Sequence, residues 1–139
     1  MTATTSYPPQ PLPDPDSESF WRATAAGHLA LCRCTSCRRW LQPPLERCRH
    51  CDAPTVFEDV AGTGRVHTFI VQRQPAVAGY TEDLPYVVAL VELDEQVGLR
   101  LPGRIVGVDP ADVRCEMPVR AELVELPGGD FVVPVFRPA

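Results

Sequence analysis

Four cysteines in two Cys-x-x-Cys pairs, Cys34-Thr35-Ser36-Cys37 and Cys48-Arg49-His50-Cys51, are the residues whose types and spacing could do chemistry in this chain. Each short turn presents two thiolates to one ion, and the intervening stretch 38–47 is long enough for a hairpin that folds the second turn over the first. Four thiolates favour zinc, at about 2.3 Å per sulfur, and a closed four-sulfur shell is structural because it leaves no position for water. The same ligands would hold mononuclear iron or an iron–sulfur cluster. Four cysteines that are merely buried or disulfide-bonded are the plainer alternative, against which the paired spacing weighs. Cys32 could compete as a ligand or react as a free thiol, but packing against the ribbon is its simpler role. Cys115 reads as a small half-buried residue. His28, His50 and His67 are scattered, and no Gly-rich phosphate loop, His-Glu-x-x-His or paired-carboxylate pattern is present. The sequence therefore points away from catalysis by this chain itself.

Charge divides the chain. All 13 basic residues are arginine. Residues 20–51 carry Arg22, Arg33, Arg38, Arg39, Arg47 and Arg49 against the single acid Glu46, whereas residues 52–139 are net acidic by seven charges. A basic knob thus sits on an acidic body. Guanidinium forks hold phosphate bidentately, so Arg22, Arg33, Arg38 and Arg39 are candidates for phosphate or partner contacts; solvated arginines around a metal turn are the bland reading. Phe20, Trp21 and Trp40 are candidate apolar anchors for a partner, since aromatics and arginine dominate interface energetics. A single-stranded nucleic-acid binder is the alternative from a different class. It would want a basic groove with stacking platforms on the second module, which that module's acidity argues against.

The elements that must position these residues follow in chain order. Residues 1–15 hold five prolines and few apolar anchors, and are expected to form a disordered, extended tail. Asp16 or Ser17 can cap a short helix that Gly27 stops, with Phe20, Trp21, Thr24 and Ala25 on its packing side and His28 just beyond. Leu29 to Leu31 form a short strand into the ribbon, and Pro43-Pro44 keeps the finger extended. Residues 16–53 are thus expected to be helix and metal ribbon, and 54–139 a second module of strands. These span Arg65–Gln74, Tyr86–Leu93, Val97–Ile105 with an interruption at Pro102-Gly103, Val119–Leu126 and Phe131–Phe136. The nearly all-apolar Tyr86–Leu93 is expected to be covered on both faces. Residues 109–112 make a turn or one helical turn, and Leu126 to Asp130 a hairpin turn. Five strands with short connections suggest a small closed barrel of the OB type. The fold class is mainly β. The long loop from Gln74 to Leu84 is a candidate functional loop. No run approaches the roughly twenty apolar residues of a membrane span and no export signal opens the chain, so the cytoplasm and reduced thiols are expected.

This order of parts is similar to a bacterial and archaeal family. Phe20-Trp21, Leu29 to Leu31, Cys34-x-x-Cys37, Pro43-Pro44 and Cys48-x-x-Cys51 resemble its ribbon half. Gly62-x-Gly64, the stretch Pro85 to Asp94, Met117-Pro118-Val119 and Pro134 to Pro138 resemble its barrel half. The family is that of rubredoxin-like zinc-ribbon plus OB-fold proteins, a domain of unknown function met in acyl-CoA metabolism. The resemblance covers roughly residues 17–138. It implies a non-catalytic accessory subunit that assembles with a thiolase-fold enzyme (thiolase, aldolase or acyltransferase) or with a hot-dog-fold enoyl-CoA hydratase. The catalytic groups would reside in that partner, and ribbon and barrel would help shape an acyl-CoA channel at the shared interface. Three positions depart from the pattern. Arg38 stands where such ribbons usually have Gly in a turn that needs permissive backbone, and Arg49-His50 replaces a Pro-containing pair; both bear on metal occupancy. Gln96-Val97-Gly98 replaces the Gly that often follows Leu-Asp-Glu, which could displace a hairpin.

Overall fold

The computed structural model describes residues 6–139; residues 1–5 of the Pro-rich stretch lie outside the described part. Residues 6–14 form no regular element. They lie against the barrel's loops, with Gln10 Nε2 donating to the Pro127 carbonyl at 3.0 Å. The helix α1 (Glu18–Ala25) starts after a turn in which Asp14 Oδ1 accepts from the Ser17 N–H and hydroxyl, each at 2.8 Å. It stops at Gly27, whose φ of 93° only glycine adopts freely. Its buried residues are Ala23 and Thr24, and Phe20 packs on the core. Ala25, expected to face inward, is exposed. Positions 20, 23 and 24 share one helical face, and that face is the one that docks.

Three strands make the ribbon sheet, in the order β2-β1-β3: β1 (Ala30–Cys34), β2 (Trp40–Leu41) and β3 (Thr55–Asp59). β3 was expected to open the second module. Instead it pairs with β1 along its whole length, from Ala30↔Asp59 to Cys34↔Thr55, so the barrel's strands begin only at Thr63. β1 has two occupied faces. Cys32 and Cys34 turn into a small core with Leu41, Cys48 and Phe57. Leu31 turns the other way and joins Leu29 and Trp40 in the barrel's core. Trp40 is therefore an internal residue, 7% exposed, and not a partner anchor.

The second module is a closed five-stranded barrel in the order β4-β5-β6-β8-β7. Its strands are β4 (Thr63–Gln72), β5 (Tyr86–Leu93), β6 (Arg100–Ile105), β7 (Pro118–Glu125) and β8 (Val132–Pro138). β5 is buried along the whole of one face, and on the other only Tyr86 at its start is fully covered. Val87, Ala89, Val91 and Leu93 point inward, whereas Leu90 is 38% exposed. An antiparallel barrel fills one face of each strand, and an all-apolar run does not say which. Pro102-Gly103 does not interrupt β6; Pro102 pairs with Leu90 and Gly103 with Ala89. β6 meets β8 only at Ile105↔Phe136, so a residue without an N–H is tolerated there. Gly103 makes room for Phe136, which is fully buried.

Ribbon and barrel are joined by more than a shared core. The hairpin between β5 and β6 turns through Gly98 at φ 84°. Its Gln96 reaches across to β2, where Oε1 accepts from the Trp40 N–H at 2.9 Å and Nε2 donates to the Trp40 carbonyl at 3.1 Å. The residue that departs from the family pattern thus supplies a two-bond clasp. A Cβ at Gly103 would come within 2.8 Å of the Phe136 ring, which has no room to retreat. Gly103→Ala is expected to destabilise the chain by about 1–3 kcal/mol, read as a lower urea midpoint with an unchanged slope.

Candidate metal centre

The four paired cysteines converge. Their Sγ atoms all lie within 4.8 Å of one another, with Cys34–Cys51 at 3.4 Å and Cys37–Cys48 at 3.7 Å. A tetrahedral ion with metal–thiolate bonds of about 2.3 Å needs sulfurs about 3.8 Å apart, so the cluster is close to the shape such an ion requires. Two turns of the same design build it. In each, the first cysteine's N–H bonds to the carbonyl five residues on, Cys34 to Arg39 at 2.8 Å and Cys48 to Ala53 at 2.9 Å. In each, the residue after the second cysteine is left-handed: Arg38 at φ 63° and Asp52 at φ 62°. The permissive backbone expected after Cys37 is therefore required, and an arginine supplies it at a cost of about 1–2 kcal/mol.

Backbone N–H groups point at the sulfurs. Those of Ser36 and Cys37 donate to Cys34 Sγ at 3.3 and 3.4 Å, and that of His50 to Cys48 Sγ at 3.3 Å. Burial pushes the Cys34 thiol up, but these donors and the neighbouring sulfurs outweigh it and bring it to about 6. Cys48 is shifted below its ordinary value in the same way, burial opposing the His50 and Cys51 N–H groups. The Arg39 N–H lowers Cys37, yet burial and the three other sulfurs prevail and raise that thiol to about 11. Like charges this close do not all ionise unaided. A bound cation removes that limit and lets all four serve as thiolates. The residues present fit a metal ion.

Cys32 is not a fifth ligand; its buried thiol donates to the Leu45 carbonyl at 3.4 Å. Cys115 is exposed rather than half-buried. The histidines stay apart. His28 Nδ1 lies 2.6 Å from Asp59 Oδ1, His67 sits exposed at a bulge in β4, and His50 meets Arg39. The loop expected to be functional is fastened by Arg104, whose guanidinium lies over Tyr80 and Tyr86 at 5.4 and 5.0 Å and reaches Asp83 at 3.3 Å.

The candidate arginines do not converge on one site. Arg22 pairs with Glu18 at 2.8 Å on the exposed side of α1. Arg33 and Arg38 both hold Glu58, at 3.0 Å and at 2.6 and 2.8 Å, and Arg33 lies over the Trp40 ring at 4.5 Å. Arg39 instead lies beside His50, 3.2 Å from Nδ1. Phe20 and Trp21 wall an apolar cavity of about 330 Å³ with Pro44, Phe57, Leu101 and Pro134. Glu58, which organises two of the arginines, had no signal in the sequence beyond its charge.

Comparison with known proteins now decides the family. The model of the ChsH2 C-terminal OB-fold domain matches residues 57–131. This chain belongs to that family, the DUF35 proteins. It is 35% identical to a chain of the solved Ltp2-ChsH2(DUF35) aldolase, with a TM-score of 0.83 over 93% of this chain and 98% of that one. It is 37% identical over 134 residues to a protein of Thermomonospora curvata called a probable enoyl-CoA hydratase alpha subunit, covering 94% of this chain and 40% of the relative. It is also 37% identical over 91 residues to a DUF35 domain-containing scaffold protein of Methanocaldococcus jannaschii, covering 64% of this chain and 62% of the relative. The chain spans only two fifths of the hydratase subunit's length.

Cys48→Ser is expected to remove bound metal and to unfold residues 29–51, read by mass spectrometry of the native protein and by lost amide protection in the ribbon. Glu58 is held below the ordinary 4.5 by hydrogen bonds from Arg38 first and Arg33 second. Its contribution is full above that ordinary value and is lost as the pH falls through the lowered one. The stability gap between wild type and Glu58→Gln should therefore be widest near neutral pH and close in acid, measured as melting temperature against pH.

Proposed function

We propose that this chain is a non-catalytic accessory subunit that assembles in the cytoplasm with a thiolase-fold enzyme and helps form that enzyme's acyl-CoA channel. The observation that carries the reading is the likeness, over nearly the full length of both chains, to a chain of the solved Ltp2-ChsH2(DUF35) aldolase. The archaeal relative's name, scaffold protein, supports the non-catalytic part. So does the chemistry of the side chains. The clustered thiols form a closed four-sulfur shell, and the three histidines are each engaged or exposed away from it. The ion is zinc in this reading, because four thiolates in a closed tetrahedron suit zinc and leave it no catalytic position. Among the described residues no helix is long and apolar enough to cross a membrane.

A second reading keeps the accessory role and changes the partner to an enoyl-CoA hydratase, which the Thermomonospora relative's name favours. The nucleic-acid reading is weaker. Tyr80 and Tyr86, the aromatic pair beside the long loop, are already stacked beneath Arg104, so they offer no open platform for bases.

Co-expression of the tagged chain with a thiolase-fold enzyme and with an enoyl-CoA hydratase separates the first two. Stoichiometric co-elution with the thiolase-fold enzyme is expected, with about one zinc per chain and no turnover of acyl thioesters by the chain alone. Retention of the hydratase only would move the partner to the second reading. Multiple turnover by the isolated chain would end the accessory role altogether.

A further inference from the structure

Two of the arginines that the ion pairs leave over, Arg39 and Arg49, line a cavity of about 360 Å³ between the two cysteine turns and the β5–β6 hairpin. Arg39, Gln42, Arg49, His50 and Gln96 supply its polar lining, and no carboxylate lines it. Among the described residues seven arginines pair with acids, but Arg39 and Arg49 have no acid within 4.0 Å. In a chain of net charge −5, two guanidinium groups facing one acid-free hollow are a local inversion of sign. The hollow is also braced. Arg39 Nη1 sits 3.2 and 3.4 Å from the two ring nitrogens of His50, and Gln96 is fixed on Trp40 by both ends of its amide. One N–H of the Gln96 amide remains free of the Trp40 carbonyl and can donate.

We propose that this hollow is an anion subsite that takes a phosphate group of a coenzyme A-type nucleotide. Two guanidinium forks and an amide N–H match the donors that a phosphate accepts. The volume stands near the lower end of ligand pockets, about 300 Å³, so it holds a phosphate-bearing end while the remainder of the molecule extends away. The assignment of the phosphate to coenzyme A rests on the acyl-CoA reading above; the anion chemistry does not. Arg49 and His50 are the two residues inside the second Cys-x-x-Cys turn, so the metal cluster fixes the backbone that carries half of the subsite.

The test is calorimetric titration of the metal-loaded full chain, without any enzyme partner, with coenzyme A, adenosine 3′,5′-bisphosphate, pantetheine and a single-stranded oligonucleotide. Coenzyme A and the bisphosphate are expected to bind and pantetheine not. Arg39→Gln and Arg49→Gln should each weaken binding about tenfold or more with metal content and melting temperature unchanged. Arg114→Gln, an exposed barrel arginine without an ion pair, should leave affinity as it was. No binding of coenzyme A, or binding insensitive to both substitutions, overturns the proposal. So does loss of affinity that follows loss of metal, which would make the two arginines counter-charges to the thiolate cluster. An oligonucleotide that displaces coenzyme A through the same arginines overturns the assignment to coenzyme A. Because no enzyme partner is present, failure here leaves co-elution with the enzyme untouched, and the reverse also holds.

Discussion

Four sulfurs held within 4.8 Å of one another impose the constraint on which the ribbon depends. Thiolates that close repel, so the cluster stands fully ionised only around a cation. The backbone is bent to bring them there. Two non-glycine residues, Arg38 and Asp52, adopt left-handed conformations at matching places, and N–H groups from three residues are aimed at sulfur. The ribbon has little else to hold it. Its own core consists of Cys32, Cys34, Leu41 and Cys48 with Ala53 and Phe57 beside them, too small an apolar volume to fold a segment of this length alone.

What the ribbon lacks in core it borrows from the barrel. Leu29, Leu31 and Trp40 enter the barrel's cluster, and Gln96 closes the junction from the other side. The strand β1 carries both attachments because successive residues face opposite ways. Cys32 and Cys34 belong to the metal side, Leu31 to the barrel side. A geometry set at the cysteine cluster is thereby passed to the barrel through packed side chains. The same alternation sorts the arginines. Arg33 shares the Leu31 face with Trp40 and Glu58 and becomes part of the structure, as does Arg38 through Glu58, whereas Arg39 emerges beside His50 with its charge unspent.

The sequence by itself determined which four cysteines cluster, the order of parts and the barrel. Cys-x-x-Cys spacing is a local geometric requirement, and alternation with glycine-marked turns is a local record of strand and hairpin, so both can be read along the chain. It also placed the strained position after Cys37, since the turn that follows such a pair has few solutions. Strand pairing across distance was not legible. Thr55–Asp59 alternates like a barrel strand, and only its partner β1 assigns it to the ribbon. The fate of Pro102-Gly103 depended on β6 meeting β8 only at Ile105↔Phe136 and on the bulk of Phe136, two facts distant in sequence. The role of each arginine was decided by which acids the fold brought within reach. Charge is additive along a sequence, but its neutralisation depends on distances that only the folded chain sets.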